Sequence, residues 1–72
     1  MTHTGWVIED GQINYRIDDI LRGGVASAEA YGYGLMNAFA VDYKDGHCVN
    51  TMLAIGVTLS EAAKAVEEHY FH

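Results

Sequence analysis

The sequence predicts an α+β fold in which two ββα units join into a small antiparallel four-stranded sheet with helices packed on one face. Three observations predict it: two Asp-Gly pairs flanked by alternating apolar residues, a phrase that recurs between positions 24 and 56, and an apolar stripe of helical period near the C-terminus. The units would span residues 5–34 and 37–71 of a single domain, 1–72.

The first hairpin turns at Asp10-Gly11. A two-residue loop there sets Ile8 opposite Ile13 and Trp6 opposite Tyr15, with Ile17 further along the same apolar side. Val7, Glu9, Gln12, Asn14 and Arg16 fall on the other side, the alternation of a sheet with one core face. Asp18 and Asp19 read as caps for a turn of helix through Ile20, Leu21 and Arg22. Gly23-Gly24 reads as a turn leading into a first helix, which ends near Gly34 because Gly32 and Gly34 each cost about 1 kcal/mol in a helix interior.

The second hairpin is read with a three-residue loop, Lys44-Asp45-Gly46. That register pairs Val41 with Val49 and Phe39 with Thr51, whereas a two-residue loop would oppose Val41 to Asn50. The second helix opens at Thr58, three residues before Glu61, the spacing of a capping box. Leu59, Ala62, Ala63, Val66 and Tyr70 then form one stripe directed at the sheet, and Phe71 falls off it. Gly24-Val25-Ala26-Ser27-Ala28-Glu29-Ala30 aligns with Gly56-Val57-Thr58-Leu59-Ser60-Glu61-Ala62 in Gly, Val, Glu and Ala, which makes the two units an internal repeat. A competing all-α reading, with helices over 26–43 and 47–57, conflicts with the alternation around Asp45-Gly46.

At 72 residues the chain buries only about 60% of its unfolded surface, so its core is thin. Half of the residues are apolar and 19% are charged, a globular rather than a disordered balance. Ten acidic residues against four basic ones give a net charge of −6, which disfavours direct contact with nucleic acid or an anionic membrane. One cysteine, no signal-like opening and no long apolar run point to a cytoplasmic protein without a membrane span.

No motif names a reaction. His47 and Cys48 with His69 and His72 invite a zinc site, yet adjacent residues on a strand point to opposite faces, so too few ligands converge. Cys48 likewise lacks the basic or helix-terminal surroundings that activate a thiol. The expectation is therefore a non-enzyme with no metal and no cofactor. Leu21-Arg22-Gly23-Gly24 is similar to the double-glycine processing site of exported peptides, which gives a further alternative of a precursor cleaved after Gly24.

Gly56-Val57-Thr58-Leu59-Ser60-Glu61-Ala62 resembles the G-x-T-x-x-E-A turn of HicB-like antitoxin domains, over less than a fifth of the chain. The resemblance implies a small ββα-type module that binds a toxin partner. The proline-containing segment that precedes this turn in the family has no counterpart, since the chain has no Pro.

With both helices on one face, the opposite face would carry Val7, Arg16, Ala38, Ala40, Asp42, Cys48, Asn50 and Met52, with Tyr70 and Phe71 as anchors at its edge. An uncovered face of that composition reads as an association surface. The expected role is a small acidic protein that binds a protein partner, as an inhibitor or antitoxin-like protein of the kind phages and mobile elements carry against nucleases or CRISPR complexes. The alternative is a structural or accessory module that forms a homodimer.

Overall fold

Three tight turns organise the chain, and each places two residues in the left-handed region. In the computed structural model, which describes residues 3–71, Asp10 and Gly11 have φ of 49° and 77°, Asp18 and Asp19 51° and 66°, and Asp45 and Gly46 51° and 78°. Positive φ at both central positions is the geometry whose twist matches that of paired strands. The strands β1 (Gly5–Glu9), β2 (Gln12–Ile17), β3 (Ile20–Ser27), β4 (Met36–Lys44) and β5 (His47–Val57) follow, and then one helix, α1 (Leu59–Tyr70). All five strands pair antiparallel in chain order, β1-β2-β3-β4-β5.

This corrects the expected architecture of two ββα units. Among the described residues there are five strands and a single helix after them, and the recurring phrase adopts two different structures. Gly56–Ala62 leaves β5 and enters α1, whereas Gly24–Ala30 finishes β3 and enters a loop. That loop is a series of turns, held by Ala28 N–H to Leu35 O (2.8 Å), Tyr31 N–H to Ala28 O (2.9 Å) and Gly32 N–H to Glu29 O (3.1 Å). The expected first helix is absent because its N-terminal residues are needed in the sheet, where Val25 packs in the core.

The turn at Asp18-Asp19 replaces the expected helical turn through Ile20 to Arg22. It uses no glycine, and its strain is offset by a clasp from the N-terminal residues. Asp18 N–H donates to Thr4 Oγ1 (3.0 Å), His3 N–H to Asp19 Oδ1 (2.9 Å), and Asp19 N–H to the His3 carbonyl (2.8 Å).

Gly23-Gly24 lies within the central strand β3. A Cβ on Gly23 would stand 2.6 Å from the Phe39 carbonyl oxygen and 3.0 Å from Val66 Cγ1 of the helix. One on Gly24 would meet the Ile13 carbonyl oxygen at 2.7 Å and the Phe39 ring at 2.8 Å. The two glycines thus admit the helix on one face and an aromatic ring on the other. Their use is packing inside a strand, in place of the expected turn.

The helix opens with the expected capping box: Glu61 N–H donates to Thr58 Oγ1 (3.2 Å), and Thr58 N–H to Glu61 Oε1 (3.3 Å). Its inner stripe presents Ala62 and Val66, both fully buried, to a core of Tyr15, Val25 and Ala38. Leu59, expected on that stripe, is half exposed.

Gly23→Ala should cost about 1–3 kcal/mol, because backbone has to move to admit the methyl group; a chemical denaturation midpoint equal to that of the unmodified protein would contradict the close approach. Asp18→Gly should instead stabilise by up to about 1 kcal/mol, since glycine relieves the left-handed strain while the bond to Thr4 is kept. The check is thermal melting, in which a lowered midpoint would show that the aspartate is favoured at that site.

Candidate functional site

The register of β4 with β5 decides which residues share a surface. Lys44 faces His47 across a two-residue loop, so Val41 opposes Asn50, Phe39 opposes Met52, and Ala40 opposes Thr51. The expected three-residue loop is overturned, and a slip of one residue exchanges the two faces of a strand. The apolar matching behind that loop carries little energy here, because β5 is exposed along the whole of His47–Met52.

The expected association face therefore divides. Ala38 and Ala40 are fully buried on the helix side, and Asp42 lies on that same side. Cys48, Asn50 and Met52 are exposed on the opposite side, which they share with Phe39 and Val41. Val7 is half-buried there, paired with Asn14. Arg16 is engaged: its Nε donates to Glu9 Oε1 (2.9 Å) and its Nη1 to the Asp19 carbonyl (2.7 Å). Asn14 Nδ2 donates to the same Glu9 oxygen (3.2 Å), so the two hydrogen bonds, that of Arg16 foremost, hold the Glu9 carboxyl below the usual carboxylate range.

Tyr70 is also engaged. Its hydroxyl donates to the Arg22 carbonyl and lies 3.3 Å from the Val41 carbonyl, at the point where Arg22 is bulged out of its pairing with β2 and the pairing of β3 with β4 has stopped at Gly23 and Ala40. Phe71 is 59% exposed and sets its ring edge-on to Tyr15 with centroids 6.5 Å apart.

The residues that form a concave apolar surface are others. Helix α1 packs on β3, β4 and β5, and beside its first turn Trp6, Ile13, Val25, Leu59 and Ala63 line a depression of about 190 Å³. Ile8, cross-strand partner of Ile13 and on the same side as Trp6, is 75% exposed at its rim. The sequence marks these residues as core, which they would be under a second helix. A helix about 10 Å across cannot cover five strands spaced about 4.8 Å apart, so beyond the buried Tyr15 the single helix leaves part of β1 and β2 uncovered, Ile8 most of all.

A second depression, of about 350 Å³, is lined by Gly11–Asn14, Val25–Ser27, Met36 and Phe39. Neither depression has an acid, base or thiol in its lining. Among the described residues no three of His, Cys, Asp and Glu come together as metal ligands; His72, one of the residues weighed for zinc, lies outside them. No described helix is long and apolar enough to cross a membrane.

No protein-family model matches the chain, nor does any curated protein or solved structure. The likeness of Gly56–Ala62 to HicB-like turns thus rests on a local strand-to-helix cap alone.

Burial, and behind it the charge of Asp42, pushes the Tyr70 hydroxyl pKa above its ordinary value of 10.0; burial and Glu67 do the same for Tyr15. The fold favours the neutral phenols, so their contribution is intact below pH 10 and is lost as pH rises past the raised values. Denaturant midpoints should accordingly fall above that pH, and Tyr70→Phe should flatten the decline while lowering stability at neutral pH. An unchanged alkaline profile in the variant would assign the loss to other groups.

Proposed function

We propose that this protein acts without catalysis, by binding a protein partner through the apolar depression between α1 and the β1-β2 hairpin. The observation that carries the reading is a depression lined by the partly buried Trp6 and Ile13, with Ile8 and Leu59 exposed beside a helix too narrow to cover them. A concave apolar patch on so small a chain suits an inserted aliphatic or aromatic side chain. The charge of −6 supports a basic partner, steered electrostatically towards the site.

Basic clefts belong above all to proteins that handle nucleic acid. The reading is therefore an inhibitor or antitoxin-like protein directed at a nuclease or CRISPR-type complex, the role that mobile elements give to small acidic proteins. The depressions support a non-catalytic role in that no titratable side chain lines them. The exposed thiol of Cys48 supports a reducing compartment such as the cytoplasm.

Ile8→Glu and Leu59→Glu test the reading, since both side chains are exposed and the variants should fold. Against a panel of basic nucleases and nucleic-acid-handling complexes, the unmodified protein should bind at least one member, and each variant should bind that member more than about tenfold more weakly, the equivalent of about 1.4 kcal/mol. Binding that survives both substitutions would move the site elsewhere on the molecule.

A further inference from the structure

We infer that the side chain the groove receives from its protein partner is an arginine, its stem lying along the depression and its guanidinium held between the Trp6 ring and the Glu67 carboxylate. The assignment rests on the groove being the binding site, and it names what enters there.

Size limits the occupant first. The depression beside α1 has a volume of about 190 Å³, below the roughly 300–1,000 Å³ of pockets that hold a whole small molecule, so it has room for a single long side chain. Its walls, Trp6, Ile13, Val25, Leu59 and Ala63, are apolar and suit the methylene groups of a stem.

A carboxylate stands at the rim. Glu67 follows Ala63 by one helical turn, and so lies on the same face of α1 at the lip of the groove. Burial foremost, and then the charge of Glu67, raises the Tyr15 phenol above its ordinary value, which puts this carboxylate near the ring that Trp6 packs against, with centroids 4.8 Å apart. Glu67 is exposed, and among the described residues its carboxylate has neither an ion-pair nor a hydrogen-bond partner.

The chain's own four basic residues are placed elsewhere. Arg16 is bound to Glu9, Arg22 stacks over the Tyr43 ring at 5.5 Å, Lys44 closes the β4-β5 turn, and Lys64 lies 3.7 Å from Glu68. The cation that answers Glu67 therefore comes from outside. An apolar slot that ends in an indole ring and an unpaired carboxylate, on a chain of charge −6, is complementary to a cation on an alkyl stem. Arginine fits better than lysine, because its planar guanidinium stacks on the indole while its N–H fork still meets the carboxylate. A purely aliphatic side chain would fill the slot and leave Glu67 unused.

Trp6 is the only tryptophan, so its fluorescence and its indole N–H resonance report the groove directly. The probe is a blocked tripeptide with arginine between two glycines, compared with its lysine, leucine and glutamate counterparts. The arginine peptide should bind in the millimolar range, since one anchor lacks the rest of an interface, and each counterpart at least about threefold more weakly. Its affinity should fall as salt is raised. Glu67→Gln should weaken the arginine peptide about threefold and leave the leucine peptide unchanged, whereas Asp45→Asn, which removes the same charge at the far edge of the sheet, should have no effect. Both positions are exposed, so both variants should keep the thermal transition. Leucine or lysine bound as tightly as arginine overturns the assignment, as does a loss that Asp45→Asn reproduces or that Glu67→Gln fails to give. A Trp6 signal indifferent to every peptide overturns it as well; if Ile8→Glu and Leu59→Glu still abolish binding of a whole partner, the groove remains the partner site and only the arginine is lost.

Discussion

Two adjacent positions without side chains, in the middle of the central strand, set the thickness of the whole molecule. At Gly23 the helix comes so near that Val66 occupies the volume a methyl group would need, and at Gly24 the Phe39 ring does so from the other side. The core is correspondingly built of small groups at close range. Ala38, Ala40, Ala62 and Val66 are fully excluded from solvent, and Val66 is the largest side chain so excluded. Close approach lets many weak dispersion contacts accumulate where bulky residues are few. It also brings the Tyr70 hydroxyl within reach of the sheet backbone at the Arg22 carbonyl, where β3 bulges from its pairing with β2.

What the helix does not cover is held by different means. The β1-β2 hairpin relies on Trp6 against Tyr15, with ring centroids 4.8 Å apart, and on the Glu9 carboxylate shared by Asn14 and Arg16 on the other face. Arg16 extends that network to the Asp19 carbonyl, and so to the turn that residues 3 and 4 clasp. The molecule thus has an apolar half organised by α1 and a polar-braced half organised by one arginine. The proposed binding groove lies at the seam between them.

Local signals were legible wherever the answer was local. Asp10-Gly11 specifies its own turn, and the pairing of Trp6 with Tyr15 and Ile8 with Ile13 follows. Thr58 and Glu61 specify the start of α1 in the same way. The rest depended on partners distant in sequence. Gly24–Ala30 and Gly56–Ala62 share four residues in register, yet the first is consumed by strand pairing with Met36–Ala40 and the second is not. Asp18-Asp19 looked like a cap because, without glycine, its left-handed turn needs His3 and Thr4 to hold it. The misplacement of Ala38, Ala40 and Asp42 came from one residue of loop length, which transfers every side chain of a strand to the other face. The groove was hidden for a related reason: Ile8 and Ile13 have the pattern of core residues, and only the absence of a second helix exposes them.

The order of the strands has a kinetic consequence. Each of β1 to β5 pairs with its neighbour in sequence, so the sheet can grow hairpin by hairpin with short loops to close, a topology that assembles rapidly. The one described element that must reach back across the chain follows all five strands, since Tyr70 closes on Arg22. During synthesis the apolar faces of Tyr15, Val25 and Ala38 therefore wait, uncovered, for the 12-residue helix that follows β5. The interval between emergence of β5 and docking of α1 is when the nascent chain is most open to misassociation.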